Sequence, residues 1–514
     1  MSTPEDAHAA PDRRIGEGPY PRLILRNATV IDGTGAPPQG PADVVIEGNR
    51  IHQIHLVGSP TARMQGADRP DPGPGGREID VRGGYVLPGL IDSHGHIAPA
   101  NKAPSTQYAY SLWLAHGVTS IRDPGCFVNG LDFTRREADR SARNEIAAPR
   151  ITPYVGFGEG RDAPFRTPDE ARAWVQSIAE RGAAGVKFFG YRADIFQAAL
   201  EELNRLGLGS ACHHAQIHVA QANALTTARW GLRSLEHWYG LPEALFTDQR
   251  VQNFDVHFNY EDEQQRFYQA GQLWRQAAAP GSGRWNDVID ELVALGLTLV
   301  PTFSVYIGMR DVERVMAYPW HAEHVLPSLW EFWKPSRQSH GSVFYDWGTE
   351  MEVAWRHNYR RWMDFVRDYH NRGGRVVTGT DSGFIYNLWG FSQVQEMELL
   401  REAGLHPLEI LRAATLSSAE LLGVAGEVGS VTPGKLADLA VVDENPLANL
   451  KVLYGNGRLR LTDEGDLERQ GGARYTIKDG IVYDARAILE EVRAEVREAR
   501  ARQGEGVPGA RAGI

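Results

Sequence analysis

Apolar and polar residues alternate through two separate stretches of the chain, one near each end. The segments LILRNATVID, ADVVIEGNRIHQIHLV and EIDVRGGYVLPG alternate over short runs broken by Gly and Asp, and SVTPGKLADLAVVD and RYTIKDGIVYD repeat this pattern near the C-terminus. Alternation of this kind is typical of short antiparallel strands. We therefore predict that residues 22–88 and 423–485 form one small β-sandwich domain from both ends of the chain.

The central region, residues 89–422, alternates short apolar runs with helical windows. Eight runs are predicted strands, namely LIDSH, TSIRD, RITPYVG, GVKFF, SACHH, RSLEH, LTLVPT and RVVTGTD, and windows such as DEARAWVQSIAERG lie between them. Strand–helix units repeated in one run are typical of a TIM barrel, so the predicted fold class is α/β with a distorted (β/α)8 barrel. The active site of such a barrel lies at the carboxyl ends of its strands.

The barrel region also contains more sequence than its last strand–helix units require. Nine of the 13 Trp fall between Trp274 and Trp389, and loops after barrel strands cover the active site. We predict aromatic-rich lid insertions at about 241–292 and 304–365. A helical extension whose aromatic residues pack into a core of their own, or an oligomer interface, would explain the same pattern.

The two ends of the chain are polar. The N-terminal residues lack the apolar core of a signal peptide, and residues 1–21 are predicted to be a disordered tail. Residues 486–514 are predicted to form a charged helix followed by a disordered tail.

Composition narrows the class of protein. The 514 residues contain 54 Lys and Arg against 65 Asp and Glu, a net charge of −11, which argues against a nucleic-acid or anionic-membrane partner. No run approaches the roughly 18 apolar residues of a membrane span. Cys126 and Cys212 are the only cysteines, so neither a disulfide framework nor a thiolate zinc site is available. We expect a cytoplasmic globular protein.

Metal-ligand and proton-carrying side chains lie at the ends of the predicted barrel strands. His94 and His96 are two positions apart, so both imidazoles share one face and could hold one ion. Lys187 lies among apolar residues, where an ammonium is costly without a partner. His237 ends strand six and Asp381 ends strand eight. Each has an ordinary structural explanation alone, but together they predict a metal-dependent site.

An ordered set of phrases carries a family resemblance. They are VLPGLIDSHGH, GVTSIRDPG, GAAGVKFF, GLRSLEHWYG, VVTGTDSG, HPLEILRAATLSSAELLG and GSVTPGKLADLAVVDENPL. The chain resembles the amidohydrolase superfamily and, within it, the binuclear carboxylated-lysine group of prolidase-type dipeptidases and ochratoxin-degrading amidases. The resemblance implies a distorted (β/α)8 barrel with a β-sandwich made from both chain ends, in agreement with the strand pattern.

The resemblance also implies a set of ligands for two divalent metal ions. Zn2+ is the first expectation, and Mn2+, Co2+ or Fe2+ would suit the same imidazole and carboxylate donors. By the family pattern His94, His96 and Asp381 bind one ion, and His237 with a strand-five histidine binds the other. Lys187, N-carboxylated by CO2, bridges the two. Carboxylation removes the cost of a buried ammonium, because the carbamate is an anion that two cations stabilise.

Strand five offers three histidines in GLGSACHHAQIHVAQ. A strand that begins after Gly207 would reach the barrel mouth near residue 213, so we assign the metal ligand to His213. His214 and then His218 are the alternatives. His214 is also predicted to be a catalytic residue that hydrogen-bonds the substrate or a ligand, as the second histidine does in the family.

The resemblance implies a hydrolase. A metal-bridging hydroxide would attack a carbonyl carbon, with Asp381 as general base and then general acid. The substrate would be a small-molecule or peptide-like amide: a peptide, an N-acyl amino acid, or a cyclic or aryl amide. A mononuclear deaminase, an ester or lactone hydrolase and an inactive scaffold protein are the alternatives. We also expect a homo-oligomer, and the predicted substrate contacts are Arg122, Tyr239, Tyr306 and Arg310.

Overall fold

The computed structural model describes residues 8–59, 62–63, 69–127, 129–337, 341 and 343–503. Its strands, in chain order, are β1 (Arg22–Val30), β2 (Gln39–Glu47), β3 (Arg50–Leu56), β4 (Gly58–Ser59), β5 (Ala62–Arg63), β6 (Arg77–Asp80), β7 (Tyr85–Pro88), β8 (Leu90–Asp92), β9 (Val118–Gly125), β10 (Arg150–Gly156), β11 (Gly185–Phe188), β12 (Gly209–Cys212), β13 (Ser234–Glu236), β14 (Thr298–Val300), β15 (Arg375–Val376), β16 (Leu439–Val442), β17 (Arg458–Leu461), β18 (Leu467–Gln470), β19 (Ala473–Lys478) and β20 (Ile481–Asp484).

The α-helices are numbered in the same way. They are α1 (Gln107–Leu114), α2 (Leu131–Ala142), α3 (Pro168–Glu180), α4 (Ala193–Leu206), α5 (Ala224–Arg229), α6 (Leu241–Ala244), α7 (Glu263–Ala270), α8 (Gly283–Ala294), α9 (Phe303–Arg310), α10 (Val312–Met316), α11 (His321–His324), α12 (Pro327–Phe332), α13 (Thr349–Asn371), α14 (Phe391–Ala403), α15 (Pro407–Ala413), α16 (Leu416–Leu421) and α17 (Ala485–Gln503). Two short 3-10 helices lie at Leu273–Arg275 and Leu450–Leu453.

Strands β8 to β15 form one parallel sheet in sequence order, and each strand pairs with the next. Backbone hydrogen bonds join the first strand region to the last: Ser93 N donates to Thr378 O at 3.0 Å, and Asp381 N donates to His94 O at 2.7 Å. The sheet therefore curls into a distorted (β/α)8 barrel. All eight predicted strands are present, and the predicted barrel is confirmed.

The outer helices follow from local sequence. In α3 the Thr167 hydroxyl accepts from Glu170 N at 3.2 Å and a proline begins the helix, a common N-terminal arrangement. Ala171, Trp174, Val175 and Ile178 are buried, which is the spacing of one helix face. The apolar face of such a helix packs against the barrel, and its polar face is left toward solvent.

Both ends of the chain contribute to a second eight-stranded sheet. β1, β2, β3, β6 and β7 come from the N-terminal part, and β16, β19 and β20 come from the C-terminal part. β7 pairs with β1 on one side and with β16 on the other, so it joins the two parts. Leu23, Val44, Val86 and Val441 belong to a core cluster in this sheet. The sandwich arrangement itself stays a prediction.

Both described chain ends include buried residues. His8 is buried with Nε2 2.8 Å from Ala98 O, and Arg13 N donates to Glu145 O at 2.7 Å. The start of this segment therefore contacts the barrel, although most of residues 11–21 are exposed or half-buried. α17 is helical as predicted and buries Ile488 and Val492. Residues 1–7 and 504–514 of the predicted tails lie outside the described residues.

The aromatic residues of the insertions are mostly core residues. Trp274, Trp285, Trp355 and Trp362 are fully buried and contact one another or Phe365 and Trp238 through their rings. These residues belong to one core cluster with barrel residues such as Val186 and Leu235, so the insertions pack onto the barrel, and the lid and the oligomer interface stay predictions. The first insertion nevertheless reaches the barrel mouth through α7. Over the described part of the chain, no helix is both long and apolar enough to cross a membrane.

Candidate metal centre

A cavity of about 460 Å3 opens at the carboxyl ends of the barrel strands. The strand ends of β8, β11, β12, β13 and β15 deliver to it all the side chains for which a metal-binding role is predicted. These are His94, His96, Lys187, His213, His237 and Asp381. The sequence placed them on separate strands, and the curl of the sheet brings them together.

Asp381 lies between the imidazoles. One ligand atom from each of His94, His96 and Asp381 lies within 4.8 Å of the others. Asp381 Oδ1 is 3.3 Å from His96 Nε2 and 3.7 Å from His94 Nε2, while Oδ2 is 3.9 Å from His237 Nε2. The His213 and His237 ring centroids are 4.7 Å apart. One carboxylate therefore faces two groups of imidazoles.

Three of these histidines are oriented by a hydrogen bond on the side away from the cavity. Such a bond at Nδ1 fixes the ring and leaves Nε2 turned inward, which is how metal-binding histidines are usually supported. An inward Nε2 lone pair suits a divalent cation. The pairs are His94 Nδ1 with Glu236 Oε2 at 2.5 Å, His96 Nδ1 with Asp123 Oδ1 at 3.2 Å, and His237 Nδ1 with Thr302 Oγ1 at 2.5 Å.

Glu236 belongs to a buried ionic network beneath the cavity. Arg122 Nη2 donates to both Glu236 oxygens at 2.8 Å, and Ser234 Oγ donates to Oε1 at 2.6 Å. Both charged side chains are fully buried. Desolvation alone would raise the pKa of Glu236, but Arg122 and His94 hold that pKa well below its usual range. The carboxylate is thus an anion that supports His94.

This network corrects the predicted role of Arg122. The residue was expected to contact substrate because it lies close to the end of the second predicted strand, but it does not line the cavity. Its side chain lies inside the barrel, where Nε donates to Ser93 O at 2.5 Å and the guanidinium stacks 5.1 Å from the Tyr154 ring. The guanidinium charge therefore forms an ion pair with Glu236.

The protonation states suit metal binding at most of these groups. Desolvation lowers the pKa of His94 to about 4 and holds the pKa of His213 and His237 well below the ordinary value. Desolvation would also lower the pKa of His96, but hydrogen bonds with Asp123 and Asp381 raise it to about 8. Neutral imidazole is the form that binds metals.

Lys187 is a buried amine beside these imidazoles. Only 2% of the residue is exposed, and its Nζ lies 5.8 Å from the Phe189 ring centroid. Desolvation is the largest cause that lowers its pKa, to about 8. More of the amine is therefore neutral near pH 7 than for a lysine in water.

The structure separates the three strand-five histidines. His213 and His218 line the cavity, whereas His214 is buried outside it with Nε2 2.9 Å from Thr227 Oγ1. Neighbouring residues of an extended chain point to opposite sides, so His213 and His214 cannot share the cavity. In this structure the His214 side chain is hydrogen-bonded to α5 and does not reach the cavity, so the geometry gives its predicted catalytic contact no support.

Of the other predicted substrate contacts, one lines the cavity and two do not. Tyr306 lines the cavity, with its ring centroid 5.4 Å from that of His237. Tyr239 is buried behind His213, at a centroid distance of 4.8 Å, and does not line the cavity. Arg310 does not line the cavity: it lies one turn beyond Tyr306 on α9 and donates to Glu402 at 2.6 and 3.2 Å.

Sequence reasoning missed several cavity residues. Arg266 lies on α7 and is paired with Glu263 at 2.7 Å. The i,i+3 spacing of this pair on a helix is visible in the sequence, but nothing there shows which way the helix faces. The other missed lining residues are mainly aromatic: Phe127, Phe189, Tyr260, Phe267 and Phe384.

The backbone is unusual at the same place. His237, Thr302 and Asp381 have φ values of 64°, 54° and 54°, a region that residues other than glycine rarely adopt. Such conformations cost about 1–3 kcal/mol each and tend to cluster at functional sites. Here they orient the His237 and Asp381 side chains toward the cavity and the Thr302 hydroxyl toward His237 Nδ1.

Comparisons with known proteins agree with this architecture. Residues 357–482 match the model of the Amidohydrolase family. A segment of 93 residues is 39% identical to the adenine deaminase of Methanoculleus marisnigri and covers 17% of this chain and 18% of that protein. The match thus spans less than a fifth of this curated relative.

Solved structures match over nearly the whole chain. A Xaa-Pro dipeptidase with bound methionine superposes with a TM-score of 0.58 at 20% identity, covering 90% of this chain and 100% of that one. A bottromycin amidohydrolase superposes with a TM-score of 0.63 at 18% identity, covering 96% and 94%. Likeness at this level of identity shows a shared fold.

Proposed function

We propose that this chain, a member of the amidohydrolase superfamily, hydrolyses an amide-type C–N bond with the help of divalent metal ions. The observation that carries the proposal is the donor set: three imidazoles held from behind with Nε2 turned toward one aspartate. The substrate class is a peptide, an N-acyl amino acid, or a cyclic or aryl amide.

The residues around the cavity suit two ions. His94, His96 and Asp381 would hold one, and His213 with His237 would hold the other. Imidazole and carboxylate donors fit Zn2+ best, and Mn2+, Co2+ or Fe2+ would also be accepted.

Lys187 would bridge the two ions after reaction with CO2. Carboxylation needs a neutral amine as nucleophile, and burial supplies it by lowering the pKa of Lys187 to about 8. The product is an anion, which two cations would stabilise inside the barrel.

Divalent metals bound in this cavity would supply water activated at neutral pH and would polarise a carbonyl oxygen. Asp381 is the carboxylate placed to move the proton, because its two oxygens lie between the imidazoles at 3.3 to 3.9 Å. It would accept the proton of the attacking water and pass it to the leaving nitrogen.

Arg266 is the cation placed to orient a substrate that carries a carboxylate. It lines the cavity from α7, whereas Arg310 does not. A guanidinium can bind a carboxylate through two parallel hydrogen bonds. Its pairing with Glu263 means that a substrate carboxylate would compete with, or share, that contact.

The test combines metal analysis with a hydrolysis screen of N-acyl amino acids and dipeptides. We expect about two metals per chain, and Asp381→Asn should lower kcat by orders of magnitude while keeping most of the metal. Asp139→Asn, an exposed aspartate paired with Arg135, is the matched control and should keep full activity. Full activity of Asp381→Asn, or purified wild-type protein that binds no metal, would contradict the proposal.

The sequence match to an adenine deaminase favours a second candidate, deamination of a purine-like substrate. It would need a single ion and would leave Lys187 uncarboxylated. Release of ammonia from adenine, together with one metal per chain, would select this function over amide hydrolysis.

A further inference from the structure

Three large apolar side chains at the mouth of the cavity are exposed. Phe127 is 48% exposed, Phe189 43% and Ile217 55%, and all three line the cavity. A single exposed apolar residue needs no explanation, but a group of them beside a cavity is typical of a ligand-binding surface. We call these three residues the apolar shelf.

The apolar shelf is continuous with the candidate metal centre. The Phe127 and Phe189 ring centroids are 5.4 Å apart. Phe127 lies 6.0 Å from the His96 ring, and Phe189 lies 5.4 Å from the His213 ring. The shelf therefore touches one imidazole from each side of Asp381, and a group on it would lie directly beside the reacting bond.

The position of Phe127 is specified by the backbone around it. A Cβ at Gly125 would lie 2.2 Å from the Phe127 ring, and one at Gly156 would lie 2.8 Å from it. The ring thus lies against the ends of β9 and β10, where a larger residue would displace it. Glycine is entropically costly inside a strand, so this close approach argues for a defined place of the ring.

Another part of the cavity lining is buried. Tyr306 and Phe267 are buried, with ring centroids 6.2 Å apart, and Tyr306 faces His237. The cavity therefore has one enclosed aromatic side and one open apolar side. An amide has a substituent on each side of its C–N bond, so the two sides would receive different substituents.

We propose that the apolar shelf binds a bulky apolar group of the substrate, which extends from the scissile bond past His96 and His213 toward solvent. The inference rests on the proposed hydrolase function and narrows its substrate class to amides with a large acyl chain or aromatic ring on one side. Covering the shelf would remove its exposed surface from water, and an aromatic substituent would also stack on the two rings.

Binding of metal-directed inhibitors tests the shelf without turnover. Acetohydroxamate and 2-naphthohydroxamate share a zinc-binding head and differ in apolar size, so calorimetry on the zinc-loaded protein gives a ratio of their affinities. We expect the naphthyl compound to bind at least tenfold more tightly. Phe127→Ser with Phe189→Ser should lower this ratio about tenfold, which corresponds to about 1.4 kcal/mol.

The control is a pair of equally exposed apolar residues far from the cavity. Leu459 and Leu461 on β17 are 57% and 63% exposed, and Leu459→Ser with Leu461→Ser should leave the ratio unchanged. If the double Phe variant does not fold, Phe189→Ser alone should give a smaller fall in the same direction. An unchanged ratio in the Phe variants, or no preference in the wild-type protein, would overturn the inference.

Hydrolysis distinguishes failure of the shelf from failure of the proposed function. One comparison uses an N-acetyl and an N-naphthoyl amide of the same amine, and the other uses acetyl amides of a small and a large amine. Equal kcat/KM values within both pairs would refute the role of the apolar shelf, while the measured turnover would still support a hydrolase. A protein that binds neither zinc nor hydroxamate would refute both.

Discussion

The buried Arg122–Glu236–His94 network makes a quantitative prediction through Glu236→Gln. The glutamine keeps one acceptor oxygen but turns an NH2 group toward either His94 Nδ1–H or the Arg122 guanidinium. Donors would then face each other, and Arg122 would lose its buried counter-charge. The substitution keeps the size of the side chain, so packing changes little.

The magnitude follows from burial. Both side chains of the Arg122–Glu236 pair are 0% exposed, and breaking a buried ion pair by removing one charge costs about 3–5 kcal/mol. Loss of the carboxylate that supports a metal-binding histidine also lowers metal affinity by about 10- to 100-fold. We expect both effects in Glu236→Gln.

The two effects are measured separately. Urea unfolding of the metal-free protein gives the free energy of unfolding, and competition with a zinc chelator gives the affinity. Glu402→Gln is the matched control, since the Arg310–Glu402 pair also has two hydrogen bonds but Glu402 is 47% exposed. A partly exposed pair of this kind contributes about 0.2–1 kcal/mol. Equal losses in the two variants, or unchanged zinc affinity in Glu236→Gln, would refute the role assigned to the network.

Three further predictions concern the cavity and the core. Lys187→Ala should lose the bridged metal pair, and two tightly bound metals per chain in that variant would contradict carboxylation. Arg266→Gln should raise KM for N-acyl amino acids more than for their C-terminal amides, and an equal change would contradict carboxylate binding. Burial raises the folded-state pKa of Glu396 from 4.5 to about 8. The folded state then holds the proton more strongly, so the free energy of unfolding should fall as pH rises from about 4.5 to about 8. Glu396→Gln should flatten this profile in urea titrations at several pH values, and an unchanged slope would contradict the assignment.

Much of the fold could be predicted from sequence because periodicity reports local burial. The eight short apolar runs of the barrel are fully or largely buried strands, and their order alone gives a parallel sheet. The match of residues 357–482 to the Amidohydrolase family model agrees with the resemblance, and solved structures share the predicted fold. The predicted metal residues meet in one cavity because strand ends of one parallel sheet converge.

The surroundings of several residues could not be predicted, because sequence position does not reveal what a side chain contacts in space. Arg122 lies near a strand end and Arg310 lies in the second predicted insertion, and each is paired with a glutamate far away in sequence. His214 was one residue from a cavity position and faces the other way. His8 and Ala10 lie in a polar segment, but they find hydrogen-bond partners at Ala98 and Glu137 that composition cannot show. The expected cytoplasmic location and homo-oligomer stay predictions.

The junction between the first and last strand regions, here called the seam, links metal binding to the stability of the barrel. β8 and β15 are not joined by a strand ladder; the first and last strand regions meet through a few hydrogen bonds, among them Ser93 N to Thr378 O and Asp381 N to His94 O. His94 and Asp381 lie on opposite sides of this seam. An ion bound by both would therefore cross-link the first and last strand regions of the barrel. Binding energy would then become folding energy, at about 2.7 kcal/mol for a ligand at 100 times its Kd. Amide hydrogens at the seam should therefore exchange much more slowly in the loaded protein than in the metal-free one.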